Sequence, residues 1–501
     1  MPLEVGNEEV SLEQFVRVAR WREQVILSNA ALQRAAASRE ALERLLRTGT
    51  PVYGVSTGVG GQASYVVHEE EQAQLQLNLI RSHMAGVGEP LPEEIVRGAL
   101  LARLLSLSKG YSGVRAELLK ALEALLNHGI VAVVPCYGSL GASGDLAPGA
   151  HLAAVLLGEG EVFYRGRRLP AGEALREAGL TPLSLQNKEG LALINGTHFT
   201  TSCAALATYD ALQLIKAADA LLSLSLEAIG GSPEPFDPLH HVVRPLEGQD
   251  VVMANVRKLV KGSERLGRRG VQDPYSIRCA PQVHGAVRQA HRFIREAVEQ
   301  ELNSCSDNPL IVEGRALHGG GFHAQHLAQA MDLLCISLNE LAVISRARTK
   351  LLLTPAISGL PPYLSERPGL ETGYMMAEYT AVSLLAELRL LASPSCVDYV
   401  SVSGNQEDHA SLGMTAALKA RRAVGLASLV LGAELACALR ALDYVTEPLG
   451  IGTSLLRTEL RRRLPLDRAD HSLQPEIEAA AQLLASGELL EILNRAQLGL
   501  E

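Results

Sequence analysis

The chain has 501 residues and a formal net charge of −9, from 46 basic and 55 acidic side chains. The two signs are interspersed, with no basic stripe or tail, so the sequence gives no reason to expect nucleic acid as a partner. Hydrophobic residues make up 47% of the chain and aromatic residues only 4%, a balance that favours helices over β-sandwiches.

Seven cysteines are spread widely along the chain, and none belongs to a Cys-x-x-Cys pair. This odd, dispersed set predicts free thiols in a reducing compartment. The first residues lack the basic and apolar regions of a secretory signal. The longest apolar run, residues 423–433, stops at Glu434 and is shorter than a membrane span. We therefore expect a soluble, cytoplasmic protein with no membrane partner.

The first half of the chain predicts short helices separated by loops. Ser11, followed by Glu13 and by apolar residues from Phe15 onward, is typical of a capped helix start. Residues 92–128 predict two helices, interrupted by the glycine-containing stretch 109–113. Residues 161–170 predict a hairpin that turns at Arg165-Gly166. Strands and helices do not alternate regularly, which argues against a doubly wound sheet.

The second half of the chain predicts long helices. Apolar residues recur there at three- and four-residue spacing, and in places they cover several sides of the helix. The predicted long helices are 200–229, 280–302, 325–353, 373–391 and 410–445. Several helices that are buried on more than one side imply a thick bundle. The loops between them are rich in glycine and proline, and such loops often carry functional residues.

Residues 138–151 read GSLGASGDLAPGAH, an unusual loop in a helical chain. One interpretation is a glycine-rich turn with Asp145 as a helix N-cap. The stretch lacks the P-loop pattern, and Asp145 occupies the position where a Gly-x-Ser-x-Gly nucleophile elbow needs glycine. A second interpretation is chemical, because in a tight turn the Gly144 amide nitrogen can reach the Ala142 carbonyl carbon. Cyclisation with loss of water, and loss of the Ser143 hydroxyl, would then create an electrophilic ring.

This loop resembles the signature of the histidine ammonia-lyase family, within the wider aromatic amino acid lyases and aminomutases. In that family Ala-Ser-Gly becomes 4-methylidene-imidazol-5-one, the prosthetic electrophile. Further segments resemble the family in the family's own order and extend the likeness to nearly the whole chain. They are PVYGVSTGVGG at 51–61, NLIRSHMAGVG at 78–88, ALINGTH at 192–198, QDPYSIRCAPQ at 272–282, SDNPLI at 306–311, HGGGFHA at 318–324 and GNQEDHASLG at 404–413.

The resemblance implies a catalytic task for several matched residues. Ala142, Ser143 and Gly144 would form the electrophile, and Tyr53 would remove the β-proton of the substrate. A phenol titrates near pH ~10 in water, so we expect a cation or a helix N-terminus to lower the pKa of Tyr53. Tyr275 would lie beside the ring. Taken alone, Tyr53 would be interpreted as a packed aromatic residue.

The resemblance also implies a set of binding residues. Arg278 would hold the substrate carboxylate in a bidentate pair, which suits the geometry of a guanidinium. Asn195 and Gln272 would form hydrogen bonds around the ring and the carboxylate, and Phe322 would pack near the ring. Without the resemblance, Arg278 would be a surface ion-pair residue, Asn195 a turn residue and Phe322 a core residue.

Two positions bear on the choice of substrate. His83 matches a histidine that occurs in both histidine and tyrosine lyases of the family. Glu407 matches the histidine lyases, whereas the phenylalanine and tyrosine lyases have no glutamate there. A carboxylate pairs well with an imidazole that donates a proton, but it is a costly unpaired charge against a phenyl ring. These positions favour L-histidine, with trans-urocanate and ammonia as the products. Taken alone, Glu407 would be a helix-start carboxylate.

Other positions depart from the histidine-lyase pattern. The residues after Tyr53-Gly54 read VSTGVGG, Gly321 stands where an asparagine is expected, and Gln325-His326 is closer to the tyrosine-lyase pattern. Tyrosine or phenylalanine ammonia-lyase activity and 2,3-aminomutase activity therefore stay open as alternatives. A helical scaffold without activity is disfavoured, because Ser143, Tyr53 and Arg278 are all present.

No metal or nucleotide cofactor is expected. The sequence has neither a His-Glu-x-x-His motif nor a Cys/His quartet at zinc spacing, although three histidines fall within residues 318–326. The small-molecule partner would be an amino acid substrate.

We predict a mainly α fold with few short strands. An N-terminal domain, residues 1–200, would carry the prosthetic loop, and residues 201–501 would form a long central helical bundle. The predicted helices have apolar residues on more faces than a single subunit would bury, so we expect some of these faces to pack between subunits. The resemblance implies a homotetramer whose active sites are shared between chains.

Overall fold

The computed structural model describes residues 2–397, 400–464 and 469–501, and these ranges are mainly helical. Within them the helices are α1 Leu12–Ala19, α2 Asn29–Arg47, α3 Gln72–His83, α4 Glu93–Ser108, α5 Ala116–His128, α6 Leu146–Leu156, α7 Ala171–Glu177, α8 Glu189–Ile194, α9 His198–Ile229, α10 Leu239–Val243, α11 Gln249–Leu259, α12 Tyr275–Arg278, α13 Ala280–Leu302, α14 Gln325–Leu353, α15 Pro355–Ser358, α16 Met375–Leu391, α17 Gly413–Ala441, α18 Ile451–Arg463, α19 Gln474–Ala485 and α20 Glu488–Arg495.

The strands are short and form small separate sheets. They are β1 Leu3–Val5, β2 Val25–Leu27, β3 Val87–Pro90, β4 Val131–Ala132, β5 Pro135–Tyr137, β6 Glu161–Tyr164, β7 Arg167–Pro170, β8 Leu310–Val312 and β9 Arg315–Leu317. In the described ranges β1 pairs with β2 in parallel, and β3–β5, β4–β6–β7 and β8–β9 pair antiparallel. The predicted mainly α fold with few short strands is confirmed.

Local patterns of sequence account for the element boundaries. The Ser11 side chain accepts a hydrogen bond from the Gln14 amide, and the Gln14 side chain accepts one from the Ser11 amide, which makes a capping box at the start of α1. The predicted interruption between α4 and α5 and the hairpin turn at Arg165-Gly166 are both present. The five predicted long helices correspond to α9, α13, α14, α16 and α17. The seven cysteines are free thiols, as predicted.

The chain divides into two compact units that are each discontinuous in sequence. Unit 1 contains residues 1–206, 295–332 and 394–418, and unit 2 contains residues 207–294, 333–393 and 419–501. Four of the boundaries fall inside α9, α13, α14 and α17. The domain division at residue 200 stays a prediction.

Unit 1 is organised around α4, which is buried over nearly its whole length. Its buried residues include two arginines, Arg97 and Arg103, whose side chains end on backbone carbonyl oxygens. A second cluster of apolar side chains joins α2 to Val52 and Val55, the residues that flank Tyr53-Gly54. Buried valines on both sides fix the backbone of the Tyr53 segment.

Unit 2 contains a buried ion pair between two long helices. The Arg348 guanidinium on α14 contacts both carboxylate oxygens of Glu434 on α17, at 2.5 and 2.9 Å, and both side chains are fully buried. The Ser225 hydroxyl donates to the same carboxylate. Glu434, which ends the longest apolar run of the sequence, thus lies inside α17 as a paired charge, and the helix continues to Ala441 as its predicted range required.

Two helical segments are long and apolar enough to cross a membrane by length and composition, Gln325–Leu353 and Gly413–Tyr444. However, 67% and 78% of their most apolar windows are buried inside the protein. Helices of this kind are typical of a large protein core.

Candidate active site

The GASGD segment forms a tight loop between β5 and α6 in unit 1. Gly144 has a φ of +81°, a conformation that side chains rarely adopt. A Cβ atom on Gly144 would lie 2.5 Å from the Gly196 carbonyl oxygen, so the two backbones touch. Ala142 is buried and Ser143 is half-buried. The loop thus requires glycine at the position whose amide nitrogen would close the proposed ring.

Asn195 connects the end of α8 to this loop. Its side-chain amide nitrogen donates to the Ser143 carbonyl oxygen at 2.9 Å. Its side-chain oxygen is buried and has no hydrogen-bond partner among the described residues. A buried amide oxygen without a partner is costly, so it is available to accept a hydrogen bond from a group in the site.

Asp145 lies at the N-cap position of α6, as the simpler interpretation of the loop predicted, but its carboxylate does not cap that helix. The carboxylate is fully buried and accepts hydrogen bonds from the Ser139 hydroxyl and from both the amide and the hydroxyl of Thr200. The Asp145 amide donates to the Gly196 carbonyl oxygen at 2.8 Å. Burial raises the pKa of Asp145 despite these hydrogen bonds. Sequence analysis missed this anchoring role, since Thr200 is far away in the chain.

A third segment holds the other side of the loop. The Ser411 hydroxyl donates to the Gly141 carbonyl oxygen at 3.1 Å, and the Leu412 amide donates to the Leu140 carbonyl oxygen at 2.9 Å. Both Ser411 and Leu412 follow closely on Glu407, so the loop and the segment that carries Glu407 are tied together.

Tyr53 lies in a turn of unit 1 with its hydroxyl held by the backbone. The hydroxyl oxygen accepts a hydrogen bond from the Gly60 amide at 2.7 Å. The Tyr53 amide donates to the His318 ring at 3.2 Å. Burial raises the pKa of Tyr53, the Gly60 hydrogen bond opposes this rise, and the charge of Glu407 adds to it. The expected lowering of this pKa is therefore wrong for the described chain, because burial of the phenol raises the pKa and Glu407 adds a negative charge to the same effect.

Glu407 lies close to Tyr53. Its backbone pairs with Val402 in an isolated bridge that closes the short turn 403–405. One of its carboxylate oxygens is 3.8 Å from the place where a Cβ atom of Gly60 would lie. The Ser403 hydroxyl accepts from the Gly61 amide at 3.1 Å, which joins the two turns. Unit 1 thus brings together the phenol and the carboxylate that sequence analysis assigned to the base and to the substrate side chain.

His83 is the last residue of α3 and is half-buried. Its Nδ1 atom is 2.8 Å from the Leu79 carbonyl oxygen and 3.0 Å from the Ser82 hydroxyl. Because a carbonyl oxygen only accepts, Nδ1 donates to Leu79, and Nε2 is the ring nitrogen left for a ligand.

Phe322 is half-buried in the turn before α14. The adjacent His323 ring is parallel to His409, with ring centroids 5.5 Å apart. His409 follows Glu407 by two residues, so this contact joins the segments that carry Phe322 and Glu407.

Unit 2 carries the remaining predicted residues. Arg278 lies on the short helix α12, and its guanidinium is 4.5 Å from the centre of the exposed Tyr275 ring. Gln272 and Arg278 line one cavity of about 170 Å³. The Arg278 Nε atom is buried and has no hydrogen-bond partner among the described residues. The stacked, incompletely paired guanidinium can receive a carboxylate.

A search of the described residues finds no cluster of three or more His, Cys, Asp or Glu side chains that could hold a metal ion. The absence of a metal cofactor stays a prediction.

Comparison with known proteins gives consistent results along the whole chain. The aromatic amino acid lyase family model matches residues 10–462. A histidine ammonia-lyase from Caldanaerobacter subterraneus subsp. tengcongensis is 43% identical over 503 aligned residues, which cover 99% of each chain.

Two solved structures are similar over nearly their full length. The tyrosine aminomutase from Streptomyces globisporus is 36% identical with a TM-score of 0.94, covering 99% of each chain. The histidine ammonia-lyase from Trypanosoma cruzi is 33% identical with a TM-score of 0.92, covering 99% of this chain and 95% of that one.

Proposed function

This chain belongs to the aromatic amino acid lyase family, a family of carbon–nitrogen lyases, and we propose that it releases ammonia from L-histidine to give trans-urocanate. The observation that carries this substrate is the Glu407 carboxylate beside Tyr53 and Gly60. An imidazole can donate a hydrogen bond to that carboxylate, whereas a phenyl ring would leave its charge unpaired in a closed site. The full-length similarity to a histidine ammonia-lyase supports the same substrate.

The residues of the loop fit a methylidene-imidazolone made from Ala142, Ser143 and Gly144. Gly144 is pressed against Gly196 in a conformation that excludes a side chain, and Asn195 holds the Ser143 carbonyl oxygen. The unpartnered Asn195 oxygen supplies an acceptor next to the group. When formed, this group supplies an electrophile that captures the substrate and makes ammonia a better leaving group.

The other assigned residues bind the substrate or move a proton. Arg278 holds the substrate carboxylate, and Gln272 contributes a hydrogen bond from the same cavity. Tyr275 stacks on Arg278 and limits the freedom of the guanidinium, and we assign it the place beside the prosthetic ring that the family resemblance implies. Tyr53 takes the β-proton onto its hydroxyl oxygen, which accepts one hydrogen bond from Gly60.

The side chain of the substrate contacts a different set of residues. Glu407 accepts from one imidazole nitrogen, and His83 offers the acceptor Nε2. Phe322 supplies an apolar wall.

A homotetramer with shared active sites is supported by two observations. Tyr53 needs a positive charge to ionise near neutral pH, but burial and Glu407 act in the opposite direction within the described chain. The missing charge would come from another subunit. In addition, α16 exposes an apolar stripe that includes Met376, Tyr379, Val382 and Leu390, and a stripe of this kind is typical of a helix that packs against a second chain. A cytoplasmic location is part of the same proposal and is compatible with the two long apolar helices being mostly buried inside the protein.

A second candidate function is a 2,3-aminomutase acting on tyrosine. The similarity to the tyrosine aminomutase, with a TM-score of 0.94, favours it. The two reactions differ in the fate of ammonia, which a lyase releases and an aminomutase returns to the β-carbon.

The test is to mix the purified enzyme separately with L-histidine, L-tyrosine and L-phenylalanine, and to follow product absorbance together with free ammonia. We expect urocanate and ammonia from histidine alone, and neither from Ser143→Ala. Activity on tyrosine or phenylalanine alone would overturn the role of Glu407. A rearranged amino acid without free ammonia would establish the aminomutase.

A further inference from the structure

Gly196 connects the prosthetic loop of unit 1 to a buried arginine. Its backbone lies against Gly144, and it also lies against the guanidinium of Arg103 and the carbonyl oxygen of Ser306. A Cβ atom on Gly196 would collide with both Arg103 Nη1 and the Ser306 oxygen. Glycine at position 196 therefore allows the buried arginine to lie against the backbone segment that contacts Gly144.

Arg103 is fully buried on α4. Its Nη1 donates to the Ser306 carbonyl oxygen at 2.7 Å, whereas Nε and Nη2 have no hydrogen-bond partner among the described residues. Asp307 is 3.9 Å from Nη2, but both of its carboxylate oxygens accept from Lys188 at 2.9 Å. With two basic side chains and one carboxylate, this buried cluster has one formal positive charge more than it has carboxylates.

Such an arrangement is expensive, since a buried charge normally has a partner of opposite sign. A neutral side chain of similar volume would avoid this cost in an ordinary core. The Arg103 guanidinium contacts Gly196, and Gly196 in turn touches Gly144 and accepts a hydrogen bond from the Asp145 amide. Arg103 is therefore connected to the prosthetic loop through Gly196.

We propose that Arg103 is a positioning residue that braces Gly196 against Gly144, and so holds residues 142–144 in the compressed turn from which the prosthetic ring forms. This inference rests on the proposed function. In ring formation the Gly144 nitrogen bonds to the Ala142 carbonyl carbon, and the carbonyl oxygen leaves as water. The Ser143 hydroxyl leaves as a second water and the methylidene double bond remains, so no oxidant or reductant is needed.

The test compares Arg103→Met and Arg103→Lys with the wild-type chain and with Arg97→Met. Arg97 is a matched control, because it is buried on the same helix and its guanidinium also donates only to backbone carbonyl oxygens, those of Leu126 and Val18. In Arg103→Met the Lys188–Asp307 pair stays neutral, so no unpaired charge is created. Arg103→Lys keeps the charge, but its side chain cannot reach both Gly196 and Ser306. If Arg103→Met does not fold, the rate of ring formation in Arg103→Lys tests the proposal.

The readout is the intact mass of each folded protein with time after synthesis, together with the near-ultraviolet absorbance of the ring. Ring formation lowers the mass by two water molecules. We expect wild type and Arg97→Met to lose both waters completely, and ring formation in the folded Arg103 variants to be slower by about tenfold or more, the size of one lost charged hydrogen bond. A folded Arg103 variant that forms the ring as fast as Arg97→Met would overturn the inference. A wild-type chain that keeps both waters would instead overturn the proposed prosthetic group.

Discussion

The Tyr53 hydroxyl oxygen accepts a hydrogen bond from the Gly60 amide, 2.7 Å away and seven residues later in the chain. This contact closes the turn that carries Tyr53 and fixes the phenol next to Glu407, whose charge raises the pKa of Tyr53. The Gly60 amide thus lowers the pKa of the Tyr53 phenol, whereas the Glu407 carboxylate raises it.

Tyr53→Phe should lower kcat by about 100-fold or more, because general base catalysis typically contributes at least that much. The prosthetic ring should still form, since Tyr53 makes no contact that the ring requires. The measurement is the rate of ammonia release at saturating histidine, with intact mass as the check on the ring. Tyr65→Phe is the matched control, because Tyr65 belongs to the same region and is 70% exposed. Near-normal turnover of Tyr53→Phe would rule out the phenol as the base.

Glu407→Gln should move the acid limb of the kcat/KM profile to lower pH. A base must be deprotonated to act, and removing the Glu407 charge removes one of the causes that raise the pKa of Tyr53. More phenolate is then present at each pH. The KM for histidine should rise at the same time, because the imidazole loses its charged acceptor. Asp408→Asn is the control, since Asp408 does not contribute to the shift of Tyr53. An acid limb that stays in place or moves to higher pH would contradict the effect of the Glu407 charge on the pKa of Tyr53.

Arg278→Lys should raise the KM for histidine by about tenfold or more, while the ring forms normally. Lysine keeps the positive charge but loses the planar fork that binds a carboxylate with two hydrogen bonds and stacks on Tyr275. Steady-state kinetics measure the effect, and Arg422→Lys, an exposed arginine paired with Glu387, is the control. An unchanged KM would remove Arg278 from the carboxylate site.

Glu434→Gln should destabilise unit 2 by about 3–5 kcal/mol, because it leaves the buried Arg348 charge without its carboxylate. The double variant Arg348→Met/Glu434→Leu should recover most of this loss, since both charges are then absent. Denaturant unfolding followed by circular dichroism gives the free energies. If the double variant were as unstable as the single one, packing rather than charge would explain the loss.

The sequence by itself determined the helices and the short turns of this protein. The capping box at Ser11, the hairpin turn at Arg165-Gly166 and the ends of α13 and α14 depend on residues within a turn or two of each other. Backbone conformation responds to such neighbours, so these features can be predicted locally. The GASGD loop and the order of the other matched segments indicated the family by resemblance.

Only the tertiary structure decided which charges are buried and what they contact. Glu434 ends an apolar run within a predicted helix, but its buried partner Arg348, on another long helix, is visible only in the fold. Asp145 looked like an N-cap until its carboxylate was found on Thr200 and Ser139. The contact of Arg103 with Gly196 has no local signal at all.

The reason is physical. The free energy of burying a charge depends on partners that the fold brings from distant parts of the chain. The pattern of neighbouring residues does not show which partners these are. The pKa of Tyr53 shows the same limit. Its residue type could be assigned a task from the sequence, but its pKa is raised first by burial in the fold and then by the charge of Glu407, which lies more than 350 residues further along the chain.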